Sequence, residues 1–291
     1  MKAALPPLPL RLVTHNIRYA TASPFKGEEL WSVRRPHLVS ELKFITRYNA
    51  EAIICLQEVL DSQLQDILHD LKDDEWDFIG VGRDDGVKKG EYSPILYRKT
   101  AWEVLQWKSI WLSETPDKPG KGWDAASIRI LTTGTFSHKP SKRTAIIMNT
   151  HLDDQGKVAR FQSAKLIIRT IEEYIEYSKS GGNGPCSVLL AGDFNSTIKD
   201  DAYQLLSGAK SPVADLHDFV KGDNKYGHEK TYTSFAGEET PKRIDFLFIG
   251  PRSGGEVTEI RVDGYAVLEN RFEDGVAMSD HRAVVGDITL V

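Results

Sequence analysis

Side chains of catalytic type recur along this chain at the point where an apolar, β-branched run stops. The places are Asn16 in LVTHNIRY, Glu58 in IICLQEVL, His151 in IIMNTHLD, Asp193 with Asn195 in VLLAGDFNS, Asp245 in RIDFLF, and Asp280 with His281 in MSDHRAVV. Strand-end loops on a rigid sheet are where catalytic groups concentrate. Each motif also has a plain structural explanation. Gly192-Asp193-Phe194-Asn195 can be turn chemistry, Gln57-Glu58 and Ser279-Asp280 can cap the next element of the chain, and His151 can be a hydrogen-bonded core histidine. Asp245 is harder to explain away: it interrupts the run Ile244–Ile249, and a carboxylate inside a strand costs several kcal/mol unless a cation, histidine or metal pairs with it. His281 is the candidate partner. Taken together, the carboxylates of Glu58, Asp193 and Asp280 and the amides of Asn16 and Asn195 are oxygen donors that suit Mg²⁺ or Mn²⁺ rather than a structural zinc. A hard cation beside a His-Asp pair points to hydrolysis of a phosphate ester by activated water.

The elements that must position these groups are short strands, expected at Arg11–Ile17, Ala52–Leu56, Phe78–Val81, Ile95–Arg98, Ala101–Leu112, Ser127–Phe136, Thr144–Thr150, Ser187–Ala191, Ile244–Ile249, Thr258–Tyr265 and Ala283–Thr289. Helical periodicity marks Val33–Tyr48, Ser62–Leu71 and Val158–Tyr177, the last through Phe161, Ala164, Ile168, Ile171 and Ile175. Between Tyr92 and Phe136 strand follows strand with only turn signals between them, so antiparallel pairing must be common. A β-sandwich flanked by helices is the expected architecture, as one domain over residues 1–291. The only linker-like piece, Ser180–Pro185, is too short to separate moving domains.

Composition agrees with a globular enzyme: 291 residues, 37 Lys+Arg against 42 Asp+Glu, net charge −5, and 40% hydrophobic residues. A chain of this length buries roughly 75% of its unfolded surface without staples. Nothing approaches the roughly 20 apolar residues of a membrane span, and MKAALPPLPL, broken by prolines, reads as an extended lead-in rather than a signal peptide. Cys55 and Cys186, each in an apolar run, read as buried free thiols and point to an intracellular setting. Mild acidity excludes a dedicated nucleic-acid-coating protein but not an enzyme acting on phosphates.

The ordered set THNIRY, LQEV, NTHLD, GDFN, RIDFLF and SDH, spread from Leu12 to Ile288, resembles the endonuclease/exonuclease/phosphatase superfamily. The resemblance implies a four-layer α/β sandwich, two mostly antiparallel sheets packed face to face with helices outside. It assigns Glu58 as the principal metal carboxylate with Asn16 and Asp280 close to the ion. Asp193 and Asn195 orient the attacking water and grip the phosphate, His281 held by Asp245 acts on the phosphate and nucleophile, and His151 serves the leaving-group side. Glu91, in GEYSPILYR, is the candidate carboxylate for His151. The flanking motifs resemble a branch of bacterial and fungal hydrolases that often reads NTHLDH where this chain has NTHLDD, ending in Asp154. Arg83 and Arg129 are candidate phosphate-facing cations. Trp111 and Trp123 are either stacking surfaces for a base or packing plugs between strands. The implied function is a metal-dependent phosphodiesterase or nuclease, a monomer acting on DNA, RNA or a nucleotide-like diester. The alternatives are a phosphomonoesterase for a small sugar- or nucleotide-phosphate and an inactive binding module of the same fold. Glu58, Glu91, Asp193, Asp245 and Asp280 equal in number the whole excess of 42 acids over 37 bases, which would concentrate the net charge in one cleft.

Overall fold

The computed structural model describes residues 5–180, 186–253 and 255–291. In chain order the elements are β1 (Leu8–Asn16), α1 (Trp31–Thr46), β2 (Ile53–Gln57), α2 (Asp61–Leu71), β3 (Trp76–Ile79), β4 (Ile95–Arg98), β5 (Trp102–Trp111), β6 (Ile130–His138), β7 (Thr144–His151) and α3 (Lys157–Ser180). They continue with β8 (Ser187–Asp193), α4 (Asp201–Ser207), β9 (Ala214–Asp215), β10 (Lys225–Gly227), β11 (Asp245–Gly250), β12 (Arg252–Ser253), β13 (Glu256–Val257), β14 (Ile260–Val267) and β15 (Val284–Leu290). One sheet runs β10-β14-β15-β1-β2-β4-β3 and the other β5-β6-β7-β8-β11-β9, with β12 and β13 forming a separate small hairpin. Pairing is mostly antiparallel. The exceptions are β1 with β2, β7 with β8 and β10 with β14; the first two pairs are joined through α1 and α3, as parallel neighbours require a crossover.

Alternation of side chains along each strand sorts them into layers. Leu10, Leu12, Ile53, Cys55, Ile147, Leu189, Ala191, Leu247 and Ile249 meet between the sheets. Their strand neighbours Val13, Ile54 and Leu56 pack with Leu38, Leu42, Leu64 and Ile67 of α1 and α2. Ile146, Met148, Val188, Leu190, Phe246 and Phe248 pack with Ala164, Ile167 and Ile171 of α3. The result is the expected α/β/β/α sandwich, and no helix among the described residues is long and apolar enough to cross a membrane.

Departures from the sequence-based boundaries are local. β1 begins at Leu8, inside the expected lead-in, because Leu8 pairs with Leu290 and extends the ladder to β15; residues 1–4 lie outside the described residues, as does 181–185 of the linker-like piece. β3 occupies Trp76–Ile79 rather than Phe78–Val81, and β6 Ile130–His138 rather than Ser127–Phe136, since both registers are set by their antiparallel partners β4 and β7. The buried stripe of α3 runs through Ala164, Ile167 and Ile171, with Phe161 at its margin beneath the Lys165 ammonium. The short elements α4, β9 and β10 carry too few residues to show a period.

Candidate active site

At one end of the sandwich the inward-facing positions change from apolar to polar. Continuing the alternation of Leu12, Cys55, Ile147, Ala191 and Leu247 outward gives Asn16, Gln57, Asn149, His151, Asp193 and Asp245. Register brings them together: Asn16 lies opposite Gln57, His151 opposite Asp193, and Asp193 opposite Asp245. The β1/β2 and β7/β8 pairs all end here, while β11 begins here and His281 just precedes β15. Beneath them, Gln57 Nε2 donates to Asn149 Oδ1 at 2.7 Å and to Thr14 Oγ1 at 3.0 Å. Asn149 Nδ2 donates to the carbonyls of Leu56 and Pro94. These buried amides tie the two sheets under the site; their motifs are in the sequence, but their partners are set only by the packing of one sheet on the other.

Two site residues take left-handed backbone where their strands end, Glu58 at φ 59° and Asn195 at φ 44°. Such conformations persist only where the surroundings enforce them. Glu58 Oε1 accepts from Asn16 Nδ2 at 2.9 Å, and its Oε2 lies 3.3 Å from the Tyr19 amide and 3.7 Å from Arg18 Nη1. Asn16 Nδ2 also reaches Asp193 Oδ2 at 3.0 Å, and its oxygen accepts the Arg18 N–H. As placed, Asn16 therefore orients two carboxylates and keeps its own oxygen on the backbone.

His281 Nδ1 is 2.9 Å from Asp245 Oδ2, and its Nε2 is 3.6 Å from Asp193 Oδ2. Burial disfavours an imidazolium here, but the Asp245 and Asp193 carboxylates outweigh it and hold the His281 pKa well above the usual histidine range. Burial, with the nearby Asp245 carboxylate, pushes Asp193 up to about 7. His151 differs. Burial first, then the Arg129 and Arg83 charges, hold it well below the ordinary value. It is therefore a neutral ring, and Asn195 Nδ2 at 2.9 Å from its Nε2 places the ring proton on Nδ1, facing Glu91 Oε2 at 4.0 Å. Glu91 is pushed up to about 7 by burial and the Glu58 carboxylate, against the pull of Arg83.

A family model described as the endonuclease/exonuclease/phosphatase family matches residues 13–281. The chain belongs to that family. Its members are phosphoester hydrolases, typically dependent on a divalent metal. Among proteins of curated function none matches the sequence, but solved structures do. An endonuclease/exonuclease/phosphatase protein from Bacteroides vulgatus is 33% identical with a TM-score of 0.82, covering 97% of this chain and 99% of that one. A family member from Bacteroides thetaiotaomicron is 29% identical with a TM-score of 0.84, over 99% and 97%. The mannosyl-6-phosphatase Bt3783 of Bacteroides thetaiotaomicron is 30% identical with a TM-score of 0.80, over 96% and 99%.

The residues present fit a divalent cation of the kind this family uses. Glu58, Asp193 and Asp280 line one cleft as hard oxygen donors. Burial pushes the Asp193 and Asp280 carboxyls up, a cost that a bound cation would offset. Asp193, Asp245 and His281 also offer donor atoms within 4.8 Å of one another. There, however, Asp245 Oδ2 and His281 Nδ1 already bond each other, so Glu58 and Asp280 are the better-placed ligands.

The cleft has a volume of about 580 Å³ and brings together Glu58, Glu91, His151, Asp193, Asn195, Asp280, His281, Arg83 and Arg129. Asn16 and Asp245 stand behind its wall. Trp111 and Trp123 lie outside the lining. Trp111 is buried, donates Nε1 to the Arg83 carbonyl at 2.8 Å, and packs its ring close against Gly86; it supports the Arg83 loop as a packing plug. Trp123 takes φ 52° with its amide on the Glu114 carboxylate. Neither arginine is a free cation: Arg83 Nη1 is 2.7 Å from Glu91 Oε2, and Arg129 Nη2 is 2.7 Å from Asp154 Oδ1.

Sequence reasoning missed several contributors. Arg18 and Tyr19, inside THNIRY but given no role, line the cleft, as do Phe25, Ser127, Tyr232 and Lys242 from loops with no motif signal. Asp153 is buried, yet the amides of Gly156, Ala126 and Ser127 and the Arg129 charge hold it at about 2, anchoring the loop that carries Arg129. His15 is fully buried between Glu41 Oε1 at 3.3 Å and the His281 carbonyl at 3.2 Å. The alternation of Val13 and His15 away from the site signalled only that His15 faces α1.

Proposed function

We propose that this protein is a divalent-cation-dependent phosphomonoesterase for small, hydroxyl-rich phosphate esters such as sugar phosphates. Charge pairing at the cleft wall carries the reading. A nucleic acid brings a phosphate on either side of the scissile one and calls for unneutralised cations, whereas Arg83 and Arg129 each face a carboxylate at 2.7 Å. A wall of paired donors and acceptors suits hydroxyl groups instead. A cleft of about 580 Å³ is the size of a small-ligand pocket, and one of the similar structures is a mannosyl-6-phosphatase.

In this reading the Glu58 and Asp280 carboxylates hold the cation, which when bound polarises a phosphoryl oxygen and offsets developing charge. Asp193 and Asn195 orient water, with Asp193 as the proton acceptor nearest His281 Nε2. The His281 imidazolium, held by Asp245, stabilises charge on the phosphoryl oxygens. His151 and Glu91 stand on the leaving side, Glu91 paired with Arg83 and facing the His151 ring, while the departing alkoxide takes its proton from a water in the cleft. A phosphodiesterase, the reading the motifs favour, keeps the support of RIDFLF, Glu91 and the two-histidine arrangement.

The test is purified protein with Mg²⁺ or Mn²⁺ against hexose 6-phosphates, p-nitrophenyl phosphate, bis-p-nitrophenyl phosphate, single- and double-stranded DNA and RNA, beside Glu58→Gln and His281→Ala. Turnover of monoesters that both substitutions reduce by about 10²-fold or more is expected. Faster cleavage of DNA, RNA or the diester establishes the second reading. Equal rates in wild type and variants sink the site, and no metal-dependent turnover of anything favours a binding module.

A further inference from the structure

On the cleft wall nearest His151, the two adjacent carboxylates Asp153 and Asp154 both reach Arg129 and serve it differently. Asp153 is buried and saturated by backbone amides, with Arg129 Nε at 3.3 Å. Asp154 lines the cleft with its side chain 49% exposed, and among the described residues its partner is Arg129 Nη2 alone, on Oδ1. Its backbone is nonetheless fixed, because Asp153 caps the turn into α3 and Arg160 Nη1 donates to the Asp153 carbonyl at 2.8 Å. The Asp154 Oδ2 thus has no bonding partner among the described residues and is presented to the cleft beside a guanidinium held in place from behind. The same cleft is lined by His151, which in the reading above serves the leaving-group side.

We propose that Asp154, with Arg129, is a specificity-determining pair that selects a neutral polyol as the leaving group and rejects one that carries a second phosphate. A hydroxyl donates one hydrogen and accepts another, so neighbouring hydroxyls satisfy a carboxylate and a guanidinium lying side by side. An aryl group offers no such pair, and an anionic substituent meets two carboxylates, Asp153 and Asp154, against the single Arg129 guanidinium, a repulsive element of the kind discrimination needs. The inference rests on the sugar-phosphate reading of the cleft and names the residue that would enforce it.

The experiment compares wild type with Asp154→Ala and Asp154→Asn on a hexose 6-phosphate, a hexose 1,6-bisphosphate and p-nitrophenyl phosphate, with circular dichroism to confirm folding. In Asp154→Ala the ratio of kcat/KM for the hexose phosphate to that for p-nitrophenyl phosphate is expected to fall about tenfold, the worth of one hydrogen bond to a charged group, with the change in KM. Asp154→Asn, which retains the acceptor but not the charge, recovers part of that ratio and raises bisphosphate turnover relative to the monophosphate. Unchanged ratios in both variants overturn the assignment of Asp154 while leaving the sugar-phosphate reading intact. A wild-type enzyme that turns over no hexose phosphate but cleaves diesters overturns both.

Discussion

Replacing Asp245 by Asn tests the His281 pairing by itself, because the side chain keeps its shape and loses its charge. Asp245 is fully buried, its Oδ2 lies 2.9 Å from His281 Nδ1, and its Oδ1 has no hydrogen-bonding partner. Losing a hydrogen bond to a charged group costs about 1.5–3 kcal/mol, which at about 1.36 kcal/mol per decade is roughly a 10- to 150-fold loss of rate. Orientation adds to this. An amide can offer its nitrogen to Nδ1 and so favour the ring tautomer with the proton on Nε2, the face turned to Asp193; the corresponding change in a serine-protease triad costs about 10⁴-fold. A fall in kcat of at least about 10²-fold is therefore expected. Stability should fall as well, since breaking a buried pair leaves the His281 imidazolium short of its counter-charge, with relief of the Asp193 carboxyl that Asp245 pushes up offsetting part of the loss. Steady-state kcat at saturating Mg²⁺, with Tm from calorimetry on the same preparations, separates the two effects. Wild-type kcat in the variant, measured well below its Tm, refutes the pairing.

Asp193 and Glu91 are each pushed up to about 7, so between their ordinary carboxylate range and pH 7 the folded state holds protons the unfolded chain has released. Together with the raised His281 these groups are expected to outweigh His151, which works the other way, so that stability of the cation-free protein falls as pH rises from about 5 to 8, and Mg²⁺ should raise Tm more at pH 8 than at pH 5; a Tm rising with pH in a chelator-treated sample contradicts this. A Cβ at Gly192 would meet the Thr150 carbonyl oxygen at 2.2 Å, so Gly192→Ala is expected to push β8 from β7 and cost roughly 1–3 kcal/mol with loss of activity, and denaturation at the wild-type midpoint is the result that counts against it. His15→Phe keeps the bulk facing α1 but removes the contact to the His281 carbonyl. It should lower kcat several-fold with KM little changed and leave Glu41 buried without a partner, so a raised KM at constant kcat would assign His15 elsewhere.

The end of the sandwich that carries the chemistry is legible in the sequence for a physical reason. Alternation of inward and outward side chains makes Asp245 an inward carboxylate in an otherwise apolar strand, and its need for a partner is a matter of desolvation that no tertiary knowledge is required to see. Motif order then gathers Glu58, His151, Asp193, Asn195, Asp280 and His281 into the cleft that the fold forms. What alternation does not encode is how loops between strands pair their charges. Arg83 and Arg129 read as phosphate-facing cations, yet each is answered at 2.7 Å by a carboxylate 8 or 25 residues away in sequence. Trp111 reads in sequence as a packing plug more readily than as a stacking surface, and the bond from its indole N–H to the Arg83 carbonyl bears the packing out. Composition is a poor guide for the same reason. A net charge of −5 says how many acids exceed the bases, but the preference between a polyanion and a polyol depends on which cations the fold leaves unpaired, and the sequence places the two cations it nominates where the fold neutralises them.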